Sequence, residues 1–508
     1  MSVARSSWRA SIFIGPPQTD ACSDNRWPIK LSPRDHGFRP ATNEHFNHPT
    51  TDLMAAKAAA GQRHQGALAK LFARAASCDI TPRDGPVQLA GYVSRTTPTS
   101  SILDPIEISA LLLEASDNRC VIFSFDLLVV GSELQSAVLA KLHHLGFGPD
   151  EIVLLASHTH CAPATDRACE RLGVADAKFL QHVAEAAEGL VRQMQQMRPS
   201  EVSVDIVQGQ LRHSINRRRH WPFPTIGRTY GFRLRSVSLA PNPSGPKNEQ
   251  ATVALLRKAD DGQVLAVLWH YTCHPTAVVP NNVISSDFPG EVRRAIRGRF
   301  GEIPCLFAQG FCGNIRPDIQ VSRRMSLRDR FRKVLRTIVS GPSFSSPSPE
   351  DWTRWSQSLA AAICAIAQGR PARTFSPASL RTGSASIPIA DFFEGSMPAK
   401  MLTAQVINIG DEVEILALSA EANVEWERVL DEATPAPSGR VRLHAGYLGA
   451  LFGYLPTAAQ VGEGGYEVDG FQRLFGLSGH FKSDEIGPAV IGCVKRAFQN
   501  ADRAAKPF

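Results

Sequence analysis

The sequence predicts an α/β fold: a layered mixed β-sheet core with flanking helices, in a single large domain. Three observations lead there. Strand-length apolar runs alternate with segments of helical spacing from about residue 78 onward, the pattern of layered α/β proteins. The 508 residues are 43% hydrophobic and 20% charged, ordinary globular usage that excludes collagen-like, coiled-coil and wholly disordered chains. No stretch of 18 uncharged apolar residues occurs, so no transmembrane segment is expected.

Taken in order, residues 1–70 read as a disordered or weakly ordered leader, and 71–508 as the folded domain. The first part of the leader is rich in Pro, Asn, His and Arg without sustained periodicity. An Ala-rich run after Met54 predicts a helix reaching Ala76. Apolar runs predict strands at 108–113, 121–130 and 152–156, with helices at 133–145 and 176–197 between and after them. Strands follow at 202–207, 253–256, 264–271 and 304–308, the last preceded by a helix at 289–300. Residues 323–350 are polar and end Ser/Pro-rich, so they read as an insertion or exposed loop. A helix at 352–368, strands at 385–388, 404–409 and 413–418, and helices at 421–432 and 483–500 complete the chain. No internal repeat is visible.

The net charge of +7, from 55 Lys+Arg against 48 Asp+Glu, is mild and scattered, so no nucleic-acid partner is expected. Ten cysteines without repeating spacing or a CxxC pair read as free thiols. The N-terminal stretch lacks the apolar core of a secretory signal, which predicts a cytoplasmic location.

The most informative segment is Ser157-His158-Thr159-His160-Cys161-Ala162-Pro163, directly after the strand at 152–156. Side chains at i and i+2 on a strand share a face, so His158 and His160 can converge on a metal, for which neutral imidazole is a good ligand. Two polar residues hydrogen-bonded in a loop fit the same letters. His270 and His274 follow the apolar run at 264–268, and only one of them is expected to reach a site; a satisfied structural histidine fits as well. Asp287 suits either a carboxylate supporting a site or a helix cap. The segment 308–318, Ala-Gln-Gly-Phe-Cys-Gly-Asn-Ile-Arg-Pro-Asp, is a Gly-containing turn that either approaches a ligand or simply turns. Glu421 is a metal carboxylate or a charge favoured by a helix N-terminus, and Tyr454 sits in a Gly-rich stretch. GxSxG, GxxxxGK[ST], HExxH and GxGxxG signatures are lacking. Cys161 with His160, or Cys273 with His274, leaves a thiol hydrolase as a minor reading.

These pieces, in this order, resemble the neutral/alkaline (non-lysosomal) ceramidase family, zinc amidases that hydrolyse N-acylsphingosines. The likeness runs from Cys78-Asp79-Ile80-Thr81-Pro82 and Gly91-Tyr92 to about Glu467. The family's His-Thr-His-Ser-Gly-Pro resembles His158 to Pro163, with Cys161-Ala162 in place of Ser-Gly. Its Asn-Arg-Ser resembles Asn216-Arg217-Arg218, and its His-Pro motif matches His274-Pro275, with Asn281-Asn282 and Ser286-Asp287 beyond. Its Gly-Asp-Val-Ser-Pro-Asn turn resembles Gly313 to Asp318, with Asn314 for Asp, and its Gly-Glu resembles Ala420-Glu421.

The resemblance implies the family's catalytic domain, with Zn2+ held by His158, His274, Glu421 and Tyr454; as a departure from the family, no C-terminal immunoglobulin-like domain is expected. It implies that His160 assists at the reacting centre, that Arg217 places the substrate, and that Tyr454 either ligates zinc or stabilises the oxyanion. The partner implied is a small lipid or N-acyl amide, cut by zinc-activated water. Alternatives are a zinc hydrolase of the same fold acting on another N-acyl amide or ester, and a non-catalytic relative that keeps the scaffold.

Overall fold

The predicted alternation resolves into two stacked sheets with helices on their outer faces. The computed structural model describes residues 70–503 except 117, 224, 228–230, 234–235 and 323–325. The expected leader therefore lies outside the described residues, apart from Lys70, and the described residues belong to one unit.

In chain order the strands are β1 (Leu71–Asp79), β2 (Glu107–Ala115), β3 (Asn118–Phe125), β4 (Ile152–Ala156), β5 (Ser200–Gln210), β6 (Ser214–Trp221), β7 (Thr225–Gly227), β8 (Gly231–Arg233) and β9 (Ser236–Asn242). There follow β10 (Gln250–Lys258), β11 (Val264–Tyr271), β12 (Cys305–Gln309), β13 (Ile315–Pro317), β14 (Arg373–Phe375), β15 (Leu380–Pro388) and β16 (Phe393–Ser396). The last are β17 (Met401–Ile409), β18 (Val413–Leu418), β19 (Glu421–Ala422), β20 (Val441–Ala445), β21 (Tyr454–Leu455) and β22 (Ser478–Phe481). The helices are α1 (Ser132–His143), α2 (Ala177–Gln196), α3 (Phe288–Phe300), α4 (Leu327–Ser340), α5 (Pro349–Ala367), α6 (Glu425–Ala433), α7 (Ala458–Glu463) and α8 (Ser483–Arg503).

The larger sheet has the order β12-β11-β10-β5-β1-β2-β3-β4, with β14 added on β5, and the smaller runs β15-β17-β18-β20. Strand alternation sends one set of side chains to each face. Leu111, Ile122, Leu155, Val204 and Leu268 point to the smaller sheet, where Ile407 and Ile415 meet them. Phe123 and Leu154 turn to the other face under α1 and α2, and Val253 and Trp269 turn to that same face under α3 and α5. Beyond the smaller sheet, Val406 and Leu416 are covered by Val490 and Val494 of α8. The result is an αββα stack, and no immunoglobulin-like unit occurs among the described residues.

The larger sheet curls until its two ends meet. The Ser124 hydroxyl of β3 donates to the Phe307 carbonyl of β12 and accepts from the Phe307 N–H, both at 3.0 Å. The loop after β20 ties the same ends together. Gly446 N–H donates to Gln309 O (2.9 Å), Ala156 N–H to Tyr447 O (3.1 Å) and Gly449 N–H to Leu154 O (2.8 Å). The carboxyl ends of β4, β11, β12, β18 and β20 thereby gather in one place.

Four sequence expectations need correction. The helix expected to reach Ala76 gives way to β1, whose whole length pairs with β2; tertiary pairing overrides alanine's helix propensity. The strand expected over 121–130 stops at Phe125. Glu421 opens no helix: it lies on β19, and α6 begins four residues later. The expected loop over 323–350 contains α4, capped by the Ser326 hydroxyl accepting from Asp329 N–H and closed by Gly341 at φ 78°. Its apolar residues at 327, 331, 334, 335 and 338 have helical spacing, masked in the sequence by dense arginines.

Candidate metal centre

β4 ends at Ala156, and the backbone is stitched onward as Ser157 N–H donates to Phe125 O (2.8 Å) and His158 N–H to Leu127 O (2.9 Å). His158 adopts φ 66°, a conformation costing a non-glycine residue about 1 kcal/mol or more. It is fixed there by its Nδ1–H, which donates to Leu128 O at 2.8 Å, and by Tyr447, whose ring stacks on the imidazole at 4.1 Å between centroids. His274 leaves the end of β11 and donates from Nδ1 to Cys312 O at 3.1 Å. Gln309, at the end of β12, donates to Cys273 O at 2.6 Å and reaches Ser157 O at 3.5 Å, tying both histidine segments to one side chain.

With both Nδ1 atoms committed as donors, the Nε2 atoms of His158 and His274 carry bare lone pairs. They face each other at 3.0 Å. His160 Nε2 stands 3.2 Å from His274 Nε2, and Glu421 Oε2 lies 3.2 Å from His158 Nε2 and 3.9 Å from His274 Nε2. All four residues are buried, and Glu421 Oε2 has no hydrogen-bond partner. Acceptors pressed together without protons between them are costly unless a cation sits among them. Donors around a tetrahedral zinc stand roughly 3.3 Å apart, as bond lengths near 2.0–2.1 Å require. The donor set and its spacing fit a divalent metal, and the three histidines form a group able to hold one.

Burial, followed by the neighbouring His158, holds the His160 and His274 imidazoles well below the ordinary histidine range, so both are neutral at physiological pH. Gly91 makes room for His160. Its φ is +102°, and a Cβ there would come within 2.3 Å of His160 Nδ1. Arg95 fastens the surrounding backbone by donating to His160 O at 2.6 Å and to the Ala90 and Asn281 carbonyls.

Glu421 and Tyr454 are paired residues on β19 and β21. The Tyr454 hydroxyl accepts from Arg217 Nη2 at 3.1 Å, while Arg217 Nε donates to Glu467 at 2.8 Å. Burial pulls the Arg217 guanidinium down, but Tyr454 and Glu467 outweigh it and hold it well above its usual range. Burial and Glu421 keep the Tyr454 phenol protonated. Asn314 accepts from Val424 N–H at 2.9 Å and donates to Glu425 at 2.8 Å. Gly313 packs where a Cβ would fall 2.5 Å from Glu421 O, so this turn serves to seat the Glu421 segment.

The structure thus brings His158, His160, His274 and Glu421 to one point, with Tyr454 and Arg217 behind Glu421. His160 is as well placed a donor as the other two imidazoles, which the resemblance did not imply. His270 is excluded, since its Nε2 is used on His444 O at 3.0 Å. Asp287 is a helix cap, accepting from Phe288 N–H at 2.6 Å, and burial pushes its carboxyl up to about 6. Burial raises the Cys161 thiol to about 12 and Cys273 well above its ordinary range, so neither supplies a thiolate for the thiol-hydrolase reading. Sequence reasoning missed Tyr447 and Glu467, and Gln309 lay in the turn singled out at 308–318 without a role of its own; of the two missed, only the Tyr447 position, within a Gly-rich run after a strand, carried any signal.

No family model and no curated protein sequence matches the chain. Among solved structures, the chain is similar to the neutral ceramidase of Pseudomonas aeruginosa, with a TM-score of 0.63 and 17% identity over 85% of this chain and 74% of that one. It is equally similar to a structure described as ceramidase complexed with C2, with a TM-score of 0.62 and 16% identity over 85% of this chain and 75% of that one. The chain has the fold of these ceramidases.

Proposed function

We propose that this chain is a neutral-ceramidase-like, zinc-dependent amidohydrolase that cleaves the N-acyl amide bond of ceramide-like N-acylsphingosines. The observation that carries the reading is the convergence of the Nε2 atoms of His158 and His274, whose Nδ1 atoms face backbone carbonyls, with Glu421 Oε2. The shared fold and the matching motif order support the substrate class. His158, His274 and Glu421 hold the metal, with Tyr454 completing the set or standing beside it. Zinc at such a site supplies a Lewis acid that activates water near neutral pH and polarises an acyl carbonyl.

The remaining chemistry belongs to the chain. His160, neutral and aimed at the same point, takes a proton during attack and returns it to the leaving amine nitrogen. Its Nδ1 side rests on Gly91, so the ring keeps its aim. The Tyr454 hydroxyl accepts from Arg217 and keeps its own proton to donate to oxygen charge developing on the carbonyl. Arg217 acts by positioning that hydroxyl. Burial of the whole group excludes bulk water, which strengthens each of these interactions.

The test is elemental mass spectrometry of the purified chain, paired with hydrolysis of an N-acylsphingosine and of a short-chain N-acyl amide before and after chelation. One zinc per chain, with sphingosine release lost on chelation and restored by zinc, is the expected result. A folded chain that binds no metal would overturn the reading, whereas turnover of the short amide alone would move the substrate to another N-acyl class.

A further inference from the structure

We propose that α4 is a docking element that lays its apolar face into an anionic lipid surface beside the site. Every residue from Leu327 to Val339 except Thr337 is exposed, including Leu327 at 84%, Phe331 at 70% and Ile338 at 62%. Leu327, Phe331, Val334, Leu335 and Ile338 recur at three- and four-residue steps and so form one stripe, with Val339 at its margin. Arg328 and Arg332 flank the stripe on one side and Arg330 and Lys333 on the other, with Arg336 behind; Asp329 is the only acidic residue of the helix. The helix is about 21 Å long and lies nearest β7, which leaves the stripe facing outward.

An apolar face this large is unfavourable in water, and monomers rarely leave one without an occupant. Charge chooses among the occupants. Cations on both margins match a plane of anionic headgroups, into which the stripe sinks without needing a complementary groove. A protein partner would have to place acids along both edges of a flat helix.

The position supports the same occupant. The segment bearing α4 starts and ends beside the metal centre. Arg316, at its start, lies over the Phe344 ring at 4.1 Å and is within electrostatic reach of Tyr92 and Arg217. Ser322 donates to Asp351 at 2.7 Å, pinning the base of the insertion, and Trp352 packs with Cys161 next to His160. The helix would hold this side of the site against the surface where a lipid amide resides. In this respect the inference rests on the lipid-substrate reading above, and a binding assay without turnover separates the two.

The experiment is co-sedimentation of the full chain with phosphatidylcholine vesicles, with and without phosphatidylserine as a minor component. The chain should sediment with the anionic vesicles and only weakly with the neutral ones. The variant F331D/I338D should lose about tenfold in binding to the anionic vesicles, and R332E/K333E a similar factor, both with unchanged melting temperature and metal content. Vesicle binding by F331D/I338D equal to that of the parent would overturn the inference, as would no binding by the parent. A dimer in solution that F331D/I338D dissolves would overturn it in favour of a second copy of the chain.

Discussion

The candidate metal centre and α4 are opposite solutions to placing side chains. At the candidate centre, four buried groups are held in place by the backbone and side chains around them. Leu128 O and Cys312 O take the imidazole protons, Gly91 yields space, and Gln309 ties two strand ends. In α4 apolar side chains stand in solvent, held only by helical spacing and two caps. In the first region geometry is over-determined and a small change spreads. In the second little else depends on each side chain, so its chemistry is available to something outside the chain.

The sharpest way to break this comparison is to remove a donor. His274→Ala or His158→Ala should abolish stable metal binding and lower turnover on the order of a thousandfold, since a metal contributes several kcal/mol to transition-state stabilisation. Full metal occupancy in either variant, read by elemental mass spectrometry, would remove that residue from the ligand set. Next in size is Arg217→Leu, which removes one of the two arginines on the buried Glu467 carboxylate, leaving Arg218 at 3.0 Å, and frees Tyr454. Leaving a buried charge with no partner costs about 3–5 kcal/mol; with Arg218 still paired to Glu467, denaturant titration should show a smaller loss, about 2 kcal/mol. A loss below about 1 kcal/mol would mean that Arg218 alone satisfies Glu467 and that Arg217 serves only to position Tyr454.

Glu427 of α6 tests the surroundings of the centre. Its carboxylate accepts from Asn248 at 2.8 Å and from Thr272 at 3.4 Å, and burial pushes it up to about 7 from an ordinary 4.5. The unfolded chain ionises near the ordinary value and the folded chain only near 7, so raising the pH between them favours unfolding. The penalty is absent below 4.5, complete above 7 and about 3 kcal/mol at most. Glu427→Gln should therefore stabilise the protein by about 2 kcal/mol at pH 8, once a poorer match to Asn248 is allowed for. That gain should vanish near pH 4.5; a gain equal at both ends would show that charge is not its cause. The smallest effect belongs to α4, where Phe331→Ser should change stability by no more than about 0.5 kcal/mol. A larger loss in thermal melting would mean that the stripe is packed after all.

How far the sequence could be read follows the same division. His158, His274 and Glu421 were legible because each follows a strand-length apolar run, and the strands at 152–156, 264–271 and 413–418 match β4, β11 and β18 residue for residue. Local order sufficed there, since a buried strand writes its own pattern. The identity of the donors beyond that came from motif resemblance. What stayed hidden depends on distance along the chain. Arg217 meets Glu467 across 250 positions, and nothing local marks either as half of a pair. Ser124 looks like any polar residue in a strand, yet it closes the larger sheet. Tyr447 looks like a packing aromatic until β20 delivers it onto His158. The α4 pattern was local and still passed unseen, because charge density and a Ser/Pro-rich tail outweighed a five-residue stripe.

The loop at 446–449 has a consequence apart from chemistry. A sheet that ends in an open strand offers unpaired N–H and C=O groups to any other extended chain, and that is a route to aggregation. Here one short loop occupies β12 through Gly446 and β4 through Tyr447 and Gly449, so both terminal strands of the larger sheet are engaged by the same four residues. The tyrosine covering His158 is thus part of the seal. Selection on the site and selection for solubility act on one segment, and damage to it should surface as insoluble protein before it can be measured as lost turnover.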